Sequence, residues 1–115
     1  MKKIILFATS ALFIAILPAH ADSIAKGKAA VEKYGCVSCH GANLNAPIDP
    51  SYPKLAGQPA TYTEHALIAY KRGSGKTNSR NNAIMGGQVA QLSHQEISDI
   101  ASYIASLPGS LVVRK

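Results

Sequence analysis

The stretch GCVSCHG, residues 35–41, constrains this chain more than any other. Two cysteines separated by two residues, with a histidine directly behind them, suit three chemistries. They can grip a metal, exchange disulfides, or add their thiols across the vinyl groups of a haem while the histidine sits under its iron. A structural zinc site needs a second ligand pair. No further cysteine exists, and His65 and His94 stand 29 residues apart, far outside metal-ligand spacing. A redox dithiol needs a βαβ setting and a helix N-terminus that lowers the first thiol's pKa. Here the motif follows a helical stretch in a chain with almost no strand pattern. Haem attachment through Cys36 and Cys39, with His40 as proximal iron ligand, is the reading the spacing favours.

The chain opens with Met1, Lys2 and Lys3, continues with the apolar run Ile4 to Leu17, and then reads PAHA to Ala21. A charged start, a short apolar centre and small residues at Ala19 and Ala21 predict a secretory leader, residues 1–21, cleaved after Ala21. Its fourteen apolar-run residues fall short of the roughly 20 that span a bilayer. The expected domain is residues 22–115, exported to the periplasm, with ten basic against six acidic residues and a formal charge of +4. Scattered basic residues without interleaved aromatics argue against nucleic acid; they suit an acidic protein partner or a peripheral contact with a membrane complex. A domain this small buries only about 60–70% of its unfolded surface, and a large cofactor would complete its core.

Periodicity predicts an all-α fold with three main helices. The first spans residues 23–34, with Ser23 as cap and Gly35 as stop; Gly27 stands at a helix-weakening position inside it. The second spans residues 59–72, opening at Pro59, with Tyr62, Ala66, Ala69 and Tyr70 on one face. The third follows Ser93, which forms a capping box with Glu96; Leu92 and Ile97 make a hydrophobic staple, and Ile97, Ile100, Ala101, Ile104 and Leu107 form an apolar stripe. Two long loops, 41–58 and 73–92, remain, and loops of that length in so small a domain suggest chain wrapped around a bound group.

Met85, the one methionine after the leader, stands in the Gly-rich stretch AIMGGQ and is the candidate sixth iron ligand; His65 and His94 are the alternatives. A thioether is a soft ligand that raises the reduction potential, and two strong axial ligands leave no open position for chemistry at the iron. GSGKT, residues 73–77, imitates the end of a phosphate-binding loop, but Tyr70 stands where that loop needs glycine. Lys76 and Arg80 are instead candidates to face haem propionates or a partner.

These residues together resemble the class I c-type cytochromes, specifically the monohaem cytochrome c-553 type and the single domains of cytochrome c4. The resemblance rests on GCVSCHG, on YPKLAGQPATY at 52–62, on YKRG at 70–73, on IMGG at 84–87 and on LSHQEISDIASYIASL at 92–107. It implies the cytochrome c fold, in which the three main helices wrap a covalently bound haem c and the first and last cross beside it. Gly27 would permit that crossing, with Tyr103 opposite. The resemblance also implies that the Pro53 carbonyl accepts the proton of the His40 ring nitrogen not bound to iron, and that Arg80 contacts a propionate. The segment 73–85 looks longer than the family norm, and a single C-x-x-C-H excludes a complete dihaem c4.

The expected function is that of a soluble electron carrier between respiratory redox proteins, such as a terminal oxidase or dehydrogenase. Two other readings remain beside it: a haem enzyme or gas-binding protein with an open sixth site, and a subunit of a larger oxidase or dehydrogenase complex. No catalytic constellation of the Ser/His/Asp kind is apparent, and the six carboxylates are dispersed.

Overall fold

The computed structural model describes residues 19–110, and those residues hold helices and turns with no strand among them. The leader expected over residues 1–21 falls mostly outside the described residues. Five helices follow in order: α1 (Ala19–Lys33), α2 (Val37–His40), α3 (Ala60–Arg72), α4 (Ala83–Ala90) and α5 (His94–Ser106), with one 3₁₀ turn at Ala42–Leu44. Among the described residues no helix is long and apolar enough to cross a membrane.

α5 forms as its sequence predicts. Ser93 Oγ accepts from the Glu96 N–H at 3.1 Å, and the Glu96 carboxylate accepts from the Ser93 N–H at 2.8 Å, so two orphan donors of the first turn are satisfied reciprocally. The apolar stripe of α5 then buries Ile97, Ile100, Ala101 and Ile104. Against it lies α1, contributing Ala30 and Val31; Leu44, Val89 and Leu92 complete the core. Burial of each larger aliphatic side chain stabilises the fold by about 1.5–3 kcal/mol.

The α1/α5 crossing is tied at both ends. Tyr34 donates its hydroxyl to Glu96 at 2.6 Å, and Lys33 reaches the same carboxylate at 3.2 Å. Toward the other end the Ser23 hydroxyl donates to the buried Asp99 carboxylate at 2.5 Å. Between these ties Gly27 is buried against α5. A Cβ there would overlap the Asp99 carbonyl and stand 2.8 Å from Cβ of Tyr103, so the close approach expected of Gly27 is present, with the Asp99 backbone as nearest neighbour.

Two expectations are corrected. Helix α1 runs in from Ala19, so Ser23 lies inside the helix and hydrogen-bonds across to α5 instead of capping its own first turn. The stretch 83–90, read as loop because Gly86 and Gly87 are weak helix formers, is helix α4. Asn82 starts it by accepting from the Met85 N–H at 2.9 Å. Val89 and Leu92 hold its far end in the core, and this tertiary burial outweighs the low local propensity.

Candidate functional site

The single turn of α2 arranges the C-x-x-C-H motif. The His40 N–H bonds to the Cys36 carbonyl at 3.1 Å, and residues at i, i+3 and i+4 of a helical turn share one face; Cys36, Cys39 and His40 have that spacing. Directly after it Gly41 takes φ 81°, a left-handed conformation, and its Cα packs on the Ala46 carbonyl, where a side chain would collide. The chain therefore leaves the motif sharply and returns beneath it through Tyr52 and Pro53.

Cys36, Cys39 and His40 line one cavity of about 420 Å³, inside the range of ~300–1,000 Å³ typical of cofactor sites. Its floor is the aliphatic face of α1 and α5, with Val31, Ile100 and Ile104. One wall is α3, with Tyr62, Ala66, Leu67 and Tyr70, and another is α4, which brings Met85 to the same cavity. Ala69, expected on that α3 face, lies outside the lining; its carbonyl receives the Arg80 N–H at 3.0 Å.

His40 is 5% exposed, and its Nδ1 lies 2.9 Å from the Pro53 carbonyl. A proline carbonyl can only accept, so Nδ1 carries the proton and Nε2 keeps its lone pair for a metal. Burial pushes the Cys36 thiol up from its ordinary pKa, opposite to the shift that makes a redox nucleophile. Met85 is half-buried, and its backbone is fixed by the Asn82 cap described above.

Arg80 also lines the cavity. Its guanidinium lies 5.5 Å from the ring centroids of both Tyr62 and Tyr70 and donates to the Tyr62 hydroxyl at 3.2 Å. This stack with its backbone bond to α3 pins the 73–82 segment at the cavity wall. Helical spacing puts both tyrosines on one face of α3, but nothing in the spacing signals that Arg80 sits over their rings. Lys76, His65 and His94 are exposed and outside the lining. The GSGKT segment joins two helices, a setting unlike that of a phosphate-binding loop.

The donor set fits a haem. Two thiols and an imidazole with a free nitrogen stand on one turn, a thioether lies on another cavity wall, the walls are largely apolar, and one cation sits at the margin. An all-α chain wrapped around such a cavity belongs to the class of covalent-haem proteins.

Comparison with known proteins makes the assignment specific. Residues 24–108 match the family described as Cytochrome c. Cytochrome c-554(548) of Halomonas halodenitrificans is 42% identical over 71 residues, covering 62% of this chain and 82% of that protein. Cytochrome c4 of Pseudomonas aeruginosa is 41% identical over 81 residues, covering 70% of this chain and 35% of that protein. A thiosulfate dehydrogenase electron acceptor of Thiomonas intermedia is 34% identical over 79 residues, 69% of this chain and 34% of that protein. The chain belongs to the cytochrome c family of class I c-type cytochromes. Its cofactor is covalently bound haem c and its work is electron transport. It spans about a third of the length of the cytochrome c4 relatives.

Proposed function

We propose that this protein is a soluble, exported monohaem cytochrome that carries single electrons between redox proteins of the periplasm. The observation that carries the reading is the gathering of Cys36, Cys39, His40 and Met85 around one apolar cavity. The bound haem supplies an iron centre that changes oxidation state by one electron. Cys36 and Cys39 would hold it through thioethers, which would keep it with the chain through repeated partner exchange. His40 would hold the iron through Nε2, with the Pro53 carbonyl at Nδ1 fixing the orientation of its ring. The Met85 sulfur, on the α4 wall of the same cavity, would be the second protein ligand to that iron, and with His40 and Met85 both bound little would rearrange when the iron takes up an electron. Arg80 and Tyr62 offer propionates a cation and a hydroxyl at the cavity margin.

The rim of the cavity is where a partner would dock. Tyr62 and Ile84 line the cavity yet are 50% and 53% exposed. Val37 and Ile48 are also exposed, Val37 between the two cysteines in sequence and Ile48 with its N–H bonded to the Cys39 carbonyl at 3.1 Å. Apolar residues within a basic chain fit a partner face that is apolar at its centre and acidic around it. The name of the Thiomonas relative, an acceptor of electrons from thiosulfate dehydrogenase, favours a dehydrogenase as donor. The same name keeps membership of a dehydrogenase complex as the second reading.

Covalent attachment is tested by Cys36→Ala with Cys39→Ala. The double variant should lose all haem staining after denaturing electrophoresis, while the parent keeps it. Staining that survives in the variant contradicts attachment through these sulfurs.

A further inference from the structure

Helix α4 is poorly equipped to hold itself. It has eight residues, well below the roughly 12–15 at which isolated helices become even marginal, and two of them are Gly86 and Gly87. No basic residue stands in its last turn, where the final carbonyls lack intrahelical partners. A side chain from another helix meets that need. Lys71, in the last turn of α3, places Nζ 2.7 Å from the Ala90 carbonyl, 2.5 Å from the Leu92 carbonyl and 3.4 Å from the Val89 carbonyl. One cation thus closes the end of α4 and the turn into α5, where the helix dipole also favours positive charge.

Lys71 is absent from the lining of the haem cavity, whereas Met85 lines it from the same short helix. The Asn82 cap fixes the start of α4 and Lys71 fixes its end, so Met85 hangs between two polar anchors. We propose that Lys71 is a positioning residue for the methionine: by clamping the C-terminal carbonyls of α4 to α3 it holds the Met85 sulfur at the iron. The clamp is remote from the haem and acts through the placement of α4. This inference rests on Met85 being the sixth ligand.

The test uses the holoprotein and its Lys71→Met, Lys71→Arg and Met85→Ala variants, with Lys28→Met as a control for charge, since Lys28 is exposed on α1. Three quantities are read: the weak long-wavelength band of a sulfur–iron bond in the ferric protein as temperature rises, the rate of carbon monoxide binding to the ferrous protein, and global unfolding by far-UV circular dichroism. In Lys71→Met the band should fade well before global unfolding. Carbon monoxide should bind at least about tenfold faster, because a hydrogen bond to a charged donor is worth at least that factor in an equilibrium. Lys71→Arg, which keeps charge and donors, should restore most of the band, and Lys28→Met should behave as the parent. A band that survives to global unfolding in Lys71→Met, with unchanged carbon monoxide kinetics, overturns the positioning role and leaves Met85 as ligand. A parent without the band, indistinguishable from Met85→Ala, overturns both. Should Lys71→Met fail to accumulate as holoprotein, Lys71→Gln is read by the same criteria.

Discussion

Replacing Gly27 by Ala sets two effects of opposite sign against each other at the helix crossing that carries the core. Helix propensity favours the change, since alanine in a helix interior is better than glycine by about 1 kcal/mol. Packing opposes it. The new methyl would overlap the Asp99 carbonyl and stand 2.8 Å from Cβ of Tyr103, against the ~3.5–4.0 Å at which carbon atoms pack well. Neither neighbour can rotate away, because one is backbone and the other is the first atom of its side chain. Relief requires α1 and α5 to separate, which loosens Ala30 and Val31 from Ile97, Ile100 and Ile104. Overpacking that forces backbone movement costs about 1–3 kcal/mol, and a clash of backbone with backbone belongs at the upper end. The net loss is then about 2 kcal/mol. For a domain of this size that lowers Tm by roughly 8–16 °C. Thermal unfolding of the holoprotein by circular dichroism measures it. Gly87→Ala is the matched control: Gly87 is exposed on α4 with nothing within 4 Å of an added Cβ, so propensity acts alone and Tm should rise by a few degrees. A Gly27→Ala variant as stable as its parent, or more so, refutes the packing argument.

Two further outcomes follow from the geometry. Met85→Ala should keep its haem covalently attached, show a lower reduction potential by redox titration, and bind carbon monoxide in the ferrous state; an unchanged potential and spectrum would remove Met85 from the ligand set. Glu96 has its pKa lowered from 4.5 to about 2, first by the Tyr34 hydroxyl and then by the Ser93 N–H. A depressed folded-state pKa contributes stability that is present above the unfolded value and disappears as pH falls through the folded one. Acid destabilisation should therefore include a contribution between pH 4.5 and about 2 that Glu96→Gln lacks, seen as a shallower decline of Tm over that window. Parallel declines would show that Glu96 contributes nothing to it.

The elements legible in the sequence were those specified by neighbouring residues. The α5 capping box is a contact three residues long, and the apolar stripe behind it repeats at helical spacing, so both could be read directly. The C-x-x-C-H motif is equally local, because one helical turn aligns all three groups. What escaped depends on distant partners. Helix α4 has weak intrinsic propensity and is held by Val89 and Leu92 in the core and by Lys71 from α3. Asn82, three residues before Met85, was the available sign of its start. Local spacing makes Ser23 a cap candidate, yet its hydroxyl bonds to Asp99, 76 residues away. The Arg80 stack on Tyr62 and Tyr70 likewise joins a loop to a helix face, and spacing along the chain carries no trace of it.

Ligation of the iron by His40 and Met85 together is tested most directly by one experiment: the absorption spectrum of the purified ferric protein, followed by reduction under carbon monoxide. A weak long-wavelength sulfur–iron band together with a ferrous form that does not bind carbon monoxide is the predicted result. A ferric spectrum without that band, and rapid carbon monoxide binding after reduction, would contradict it and point to a haem protein with an open sixth site.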